Sequence, residues 1–149
     1  MNPMDFSLLL ALLHAHGGTI IGRHRFQKLV CIMRYGRQIP FSFEFIRYHY
    51  GPYSESLSSA IDTLVGVALF EEQRHTITDH IIQYSYSLTE EGERLASSII
   101  QRLRQEDGQL AERLITSTEA LQETNFSELV RLSKEVYISP DAEEIIYQQ

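Results

Sequence analysis

Residues able to carry out acid–base, nucleophilic or ligand chemistry are few and scattered in this chain of 149 residues. Cys31 sits in an apolar helical run with no base beside it, the setting of a buried thiol rather than a nucleophile. Because it is the single cysteine, an internal disulfide and a multi-cysteine zinc site are excluded. His14 and His16 lie two apart on a predicted helix and so point different ways; in its last turn they favour the helix dipole. His75 and His80 flank a predicted hairpin tip, and two imidazoles alone do not make a structural metal site. The sequence holds no glycine-rich phosphate loop, no Gly-x-Ser-x-Gly and no His-Glu-x-x-His. The expectation is a protein that does no catalysis and takes no cofactor or metal.

What remains is charge. One basic cluster stands out, Arg23, His24, Arg25 and Lys28, with Arg34 further along the same predicted helix. It reads either as a solvated helix face paired to acidic residues elsewhere or as a docking patch for a phosphate backbone or an acidic partner. Residues 1–88 hold seven Lys/Arg and seven Asp/Glu, whereas residues 89–149 hold six and thirteen, so the net charge of −7 resides entirely in the C-terminal part. A protein that coats nucleic acid indiscriminately is basic, and this one is not.

These residues need elements to position them. Asn2-Pro3-Met4-Asp5 is a helix start, followed by Phe6, Leu9, Leu10 and Leu13 on one stripe, with Gly17-Gly18 as the stop. Asp5 ahead of the apolar stretch and the lack of a basic start favour a short core helix over a leader peptide. No apolar run reaches the roughly 18–20 residues that span a bilayer, so the default expectation is a cytoplasmic protein away from membranes. A second helix is predicted from Arg23 to Tyr35 on a Phe26, Leu29, Val30, Met33 stripe. Phe41 to Phe45 alternates with period two, as extended chain does. Ile46, Tyr48 and Tyr50 then share a face, and Gly51-Pro52 ends the extended run. Ser54 caps a third helix that buries Leu57, Ala60, Ile61 and Leu64, exposes Glu55, Ser58, Ser59 and Asp62, and closes at Gly66. Leu69–Arg74 and Ile81–Leu88 read as two strands of a hairpin with a polar tip from His75 to His80. Thr89 caps a long helix carrying Leu95, Ile99 and Leu103; the helical pattern resumes at Leu110, Leu114 and Leu121. Asn125 with Glu128 starts a last helix bearing Leu129, Val130, Val136 and Tyr137, which Pro140 ends ahead of an acidic tail.

Helix, helix, extended piece, helix, two-stranded hairpin, helix is the order of a winged helix-turn-helix. On this reading the junction Tyr48, Tyr50, Gly51, Pro52, Tyr53, Ser54 feeds the third helix, with the tyrosines packing the sheet against the helices and Gly-Pro setting the entry angle of that helix. The segments GRHRFQKLVCIM (22–33), FEFIRYHYGPYSESLSSAIDTL (43–64), YSLTEEGERL (86–95) and EVYISP (135–140) together resemble a family of small bacterial and archaeal winged-helix proteins, the YwgA-like family. That family is in turn distantly similar to Panacea and SocA-type antitoxin and proteolytic-adaptor domains. Such proteins often leave the third helix through Gly-Leu-Ile, where this chain has Ala68-Leu69-Phe70.

The expected fold is therefore α+β and mostly helical. A winged helix-turn-helix domain spans 1–89, and additional C-terminal helices over 90–149 pack on it or form a dimer interface, in one compact unit. A winged helix lays its third helix in the major groove and touches backbone with the wing. Here that helix has no Lys or Arg, and the wing offers Arg74, His75 and His80 against Glu71, Glu72 and Asp79. The favoured reading is a non-catalytic regulatory module that binds protein, as antitoxins and adaptors do, using Arg23, Arg25, Lys28 and Arg34 as the docking patch. The alternative is a dimeric transcription regulator that binds DNA.

Overall fold

The chain forms six helices around one side of a three-stranded antiparallel sheet, in a computed structural model that describes residues 2–137. In order these are α1 (Pro3–Ala15), β1 (Thr19–Ile21), α2 (Arg23–Gly36), α3 (Glu55–Gly66), β2 (Phe70–Thr78), β3 (Ile81–Leu88), α4 (Glu90–Glu106), α5 (Gly108–Leu121) and α6 (Phe126–Val136). The protein is α+β and predominantly helical, as its periodicities predict. The expected caps are present: Asn2 accepts from the Met4 N–H, Ser54 from Leu57, Thr89 from Gly92 and Asn125 from Glu128, each holding one otherwise unpaired donor of a first turn. Pro140, expected to end α6, lies outside the described residues; the helix runs to Val136.

Two helices are more deeply set than a single stripe implies. In α1 every residue from Leu8 to Leu13 is buried, and in α2 every residue from Phe26 to Met33. The reason is the C-terminal half: α4 and α5 lie against α1, and α5 and α6 lie against α2, covering the faces that periodicity assigns to water. The stripe of α4 also turns by one position. Ala96 and Ile100 are buried with Gly92, while Leu95 is 40% exposed.

Phe41, Phe43 and Phe45 are buried and Ser42 and Glu44 exposed, so the period-two alternation is real. The backbone there joins no sheet. It is anchored instead by buried Asp5 of α1, whose carboxylate accepts from the Ser42 N–H at 2.8 Å and from the Ser42 hydroxyl. The period reports burial and not a ladder.

The sheet order is β1-β3-β2. Ile20 faces Tyr86, and Phe70 to Thr76 run opposite Leu88 to Ile82, with an irregularity at Ile77. β2 extends four residues past its expected end at Arg74 and shortens the tip to Asp79-His80. Phe70, tilted, and Tyr86, edge-on, pack against the Phe26 ring, which ties the sheet to α2; beyond Phe70 all of β2 is exposed. At the far end of the hairpin, Thr89 donates to the Ala68 carbonyl at 2.7 Å and accepts from Gly92. A Cβ on Gly92 would overlap the Leu69 carbonyl oxygen, which explains a glycine two residues into the helix after Leu-Thr-Glu.

Candidate functional site

The densest convergence of polar groups is where α2 grips the segment leading into α3. The Gln27 side chain donates to the Ser54 carbonyl and accepts from the Ser54 N–H, both at 2.8 Å and both buried. One residue on, Lys28 donates from Nζ to the Pro52 carbonyl at 2.9 Å, and the side chain is only 1% exposed. Burial brings the Lys28 pKa down to about 8, with Lys134 nearby acting in the same direction. Gln27 and Lys28 therefore supply, from a helix, the partners a sheet would otherwise give to residues 52–54.

The loop so held is closed at its base by Ile46 and Tyr53, which exchange both backbone hydrogen bonds at 2.8 and 2.9 Å. Gly51 turns it with φ +97°, where a Cβ would stand 3.1 Å from Ser133 Oγ and 3.3 Å from Lys28 Cε. Glycine is required there twice over, for conformation and for space. Pro52 is buried behind it, and Tyr137 of the α6 end donates to the Phe45 carbonyl at 2.6 Å. The tip carries Arg47, Tyr48, His49 and Tyr50. Tyr48 is 53% exposed and Tyr50 64%, so they do not pack the sheet against the helices; Phe26, Phe70 and Tyr86 do that. The tyrosines stand outward because the loop base is already closed by backbone pairing and the clamp. A depression of about 320 Å³ opens beside them, lined by Arg47, Tyr48, Gly51, Pro52, Lys134 and Tyr137.

The basic cluster does not assemble into one surface. Arg23 reaches α3 and forms an ion pair with Asp62. Arg25 donates to the carbonyls of Leu121, Gln122 and Thr124 at 3.1, 2.9 and 2.6 Å, closing the C-terminal end of α5. Thus it does meet the C-terminal half, through backbone oxygens and not through carboxylates. Lys28 lies inside, since α6 and residues 51–54 cover the side of α2 it occupies, and it offers no surface charge. Arg34 lies half-buried with its guanidinium 4.8 Å from the Tyr35 ring.

On α3 the outward residues are placed as expected: Glu55, Ser59 and Asp62 are exposed and Ser58 is half-buried. Arg23 reaches this face from α2, and Asp62 balances its charge. In the hairpin, Arg74 and His80 are exposed, and His75 Nε2 lies 3.2 Å from Ser85 Oγ. Among the described residues no three His, Cys, Asp or Glu side chains converge to hold a metal, and no helix is long and apolar enough to cross a membrane.

Sequence reasoning missed Gln27 and Asp5 as structural anchors. Their signal was polarity inside runs that are otherwise apolar, Phe26 to Met33 and the start of α1.

Over 75 residues, half of this chain, the sequence is 39% identical to the "Uncharacterized protein YwgA" of Bacillus subtilis (strain 168). The similarity supports a YwgA-like kinship. The matched segment takes in 44% of that protein, so the chain spans less than half the length of the relative it matches. No family model matches the chain, and no solved structure matches it.

Proposed function

We propose that the protein is a non-catalytic regulatory module of winged helix-turn-helix type that works by binding another protein. The observation that carries this reading is the exposed loop Ile46–Tyr50, in which aromatic and cationic side chains stand on a base fixed by Gln27 and Lys28. Tyrosine and arginine on a rigid support are the side chains that dominate protein interfaces, because they bury large areas with few rotors to order. The neighbouring α3 face supports the same reading. Glu55 and Asp62 are acidic, and Arg23, which reaches this face from α2, is already paired with Asp62. The partial similarity to YwgA, and the distant likeness to Panacea and SocA-type antitoxins and adaptors that such a resemblance implies, agree with it.

Affinity capture from the native host with wild type and with Tyr48→Ser/Tyr50→Ser tests the proposal. A partner held by the wild type and depleted with the variant, then reproduced with purified components, is the expected result. Identical recovery of every protein would contradict it. The second reading, a DNA-binding regulator, has one observation in its favour: the order of elements, with a three-stranded sheet in order β1-β3-β2 beside a helical pair. That is an argument from architecture and not from a site.

A further inference from the structure

The outer edge of β2 carries a charge pattern that is its own complement. Which backbone groups face outward follows from the ladder. The Leu88 N–H donates to Gly18 and the Tyr84 carbonyl accepts from Gly22, so even-numbered residues of β3 point toward β1. Odd-numbered residues of β3 therefore point toward β2, making Glu71–Ser87, Gln73–Ser85 and His75–Gln83 the hydrogen-bonded pairs; the Thr89 N–H on the Leu69 carbonyl fits the same phase. Among the described residues, the N–H and C=O groups of Glu72 and Arg74 are left on the free edge of the sheet, along a strand exposed from Glu71 to Thr78.

A two-fold axis pairs antiparallel strands only in registers where outward groups meet outward groups, so it must pass through a residue and not between two. An axis at Glu71 or Glu72 sets glutamate against glutamate, and one at Arg74 sets arginine against arginine. An axis at Gln73 is different. It brings Glu72 opposite Arg74 as a hydrogen-bonded pair, twice by symmetry, and Glu71 opposite His75 as the closer non-bonded pair. Among the described residues neither Arg74 nor Glu72 forms an ion pair within its own chain; Glu72 accepts from the Tyr86 hydroxyl at 2.7 Å and lies in the field of Arg23.

We infer that a second copy of this chain pairs with the first along β2, about a two-fold axis at Gln73, to give a continuous six-stranded antiparallel sheet. Charged side chains on an edge strand ordinarily discourage such pairing. Here they select one register of one partner, because only an antiparallel copy presents the reversed sequence of signs. The C-terminal helices take no part in this contact.

Sedimentation equilibrium of the full chain over a dilution series tests the inference. Wild type is expected to move toward twice the 17.2 kDa monomer mass as concentration rises. Arg74→Glu places Glu72 opposite a glutamate at two symmetric positions and is expected to raise the dissociation constant by about tenfold or more. The exchange Glu72→Arg/Arg74→Glu restores opposite signs and should restore the dimer. Arg74→Pro removes an outward N–H without touching the ladder to β3 and should leave monomer. Circular dichroism confirms that each variant is folded. Wild type that stays monomeric throughout overturns the inference, as does a dimer that survives both Arg74→Glu and Arg74→Pro.

Discussion

The clamp at the head of α3 and the hairpin beyond Phe70 make opposite use of polar residues. In the clamp Gln27, Lys28 and Ser54 are buried, and every bond that the Gln27 and Lys28 side chains make goes to backbone. In the hairpin Glu71, Arg74 and His80 stand in solvent, and the strand edge is unpaired among the described residues. The difference teaches where charge is available. Arg23, Arg25 and Lys28 of α2 serve to fix the fold, whereas Arg74 on the hairpin has no ion pair within the chain among the described residues. An exposed polar contact contributes little to stability, whereas a buried one is costly to break because its partner is left unpaired.

The largest effect expected from breaking this contrast is at Gln27. Gln27→Ala strands both the N–H and the C=O of Ser54 and should lower stability by about 2–4 kcal/mol in urea unfolding. Next comes Gly51→Ala, which adds a Cβ in a left-handed conformation against Ser133 and Lys28; about 1–3 kcal/mol is expected from the same measurement. A loss under half a kilocalorie from either substitution would show that the junction yields.

Titration sharpens the comparison. The Lys28 pKa in the folded protein is about 8, below its ordinary 10.5. The unfolded chain therefore binds more protons between those values, and stability must rise with pH in that window. Cys31, pushed by burial from 9.0 up to about 12, acts in the opposite sense above pH 9, because the unfolded thiol ionises first. The clean interval is pH 8 to 9, where wild type should gain about 1 kcal/mol relative to Lys28→Met. A flat difference between the two melting curves would mean that Lys28 is not buried as a cation.

Two smaller effects lie at the hairpin. Leu69 and Ala68 donate back to Leu64 and Val65, ending α3 with Ala68 at φ 60°, a conformation that suits glycine. Ala68→Gly should stabilise by up to about 1 kcal/mol, since relief of left-handed strain outweighs the added chain entropy. Arg74→Ala, on the exposed strand, should alter monomer stability by less than about 0.5 kcal/mol.

Much of the scaffold was legible because its signals are local. Asn2, Ser54, Thr89 and Asn125 act as the caps their spacing implies, and Leu57, Ala60, Ile61 and Leu64 fall on one buried face. Those residues meet neighbours three or four positions away. What local pattern could not carry is which face a distant element covers. Lys28 looked like surface because it lies off the Phe26–Met33 stripe, yet α6, which begins at Phe126, closes over it. Likewise Tyr48 and Tyr50 alternate with Ile46 as a strand would, but the partner of Ile46 is Tyr53 in the same loop, and the tyrosines are left outside. Gln27-Lys28 and Gly51-Pro52-Tyr53-Ser54 fall in two separate segments that carry the family resemblance, and they become one device only in three dimensions.

The central claim is that the cations of α2 are engaged within the fold, leaving α3 with no positive potential to offer a polyanion. Fluorescence anisotropy of a labelled duplex from the region upstream of the gene, titrated with the protein at successive salt concentrations, measures this directly. The account predicts weak binding even at the lowest salt and no slope of log affinity against log salt beyond about one phosphate contact. Tight association that falls steeply with salt, and is lost in Arg23→Ala, would contradict it.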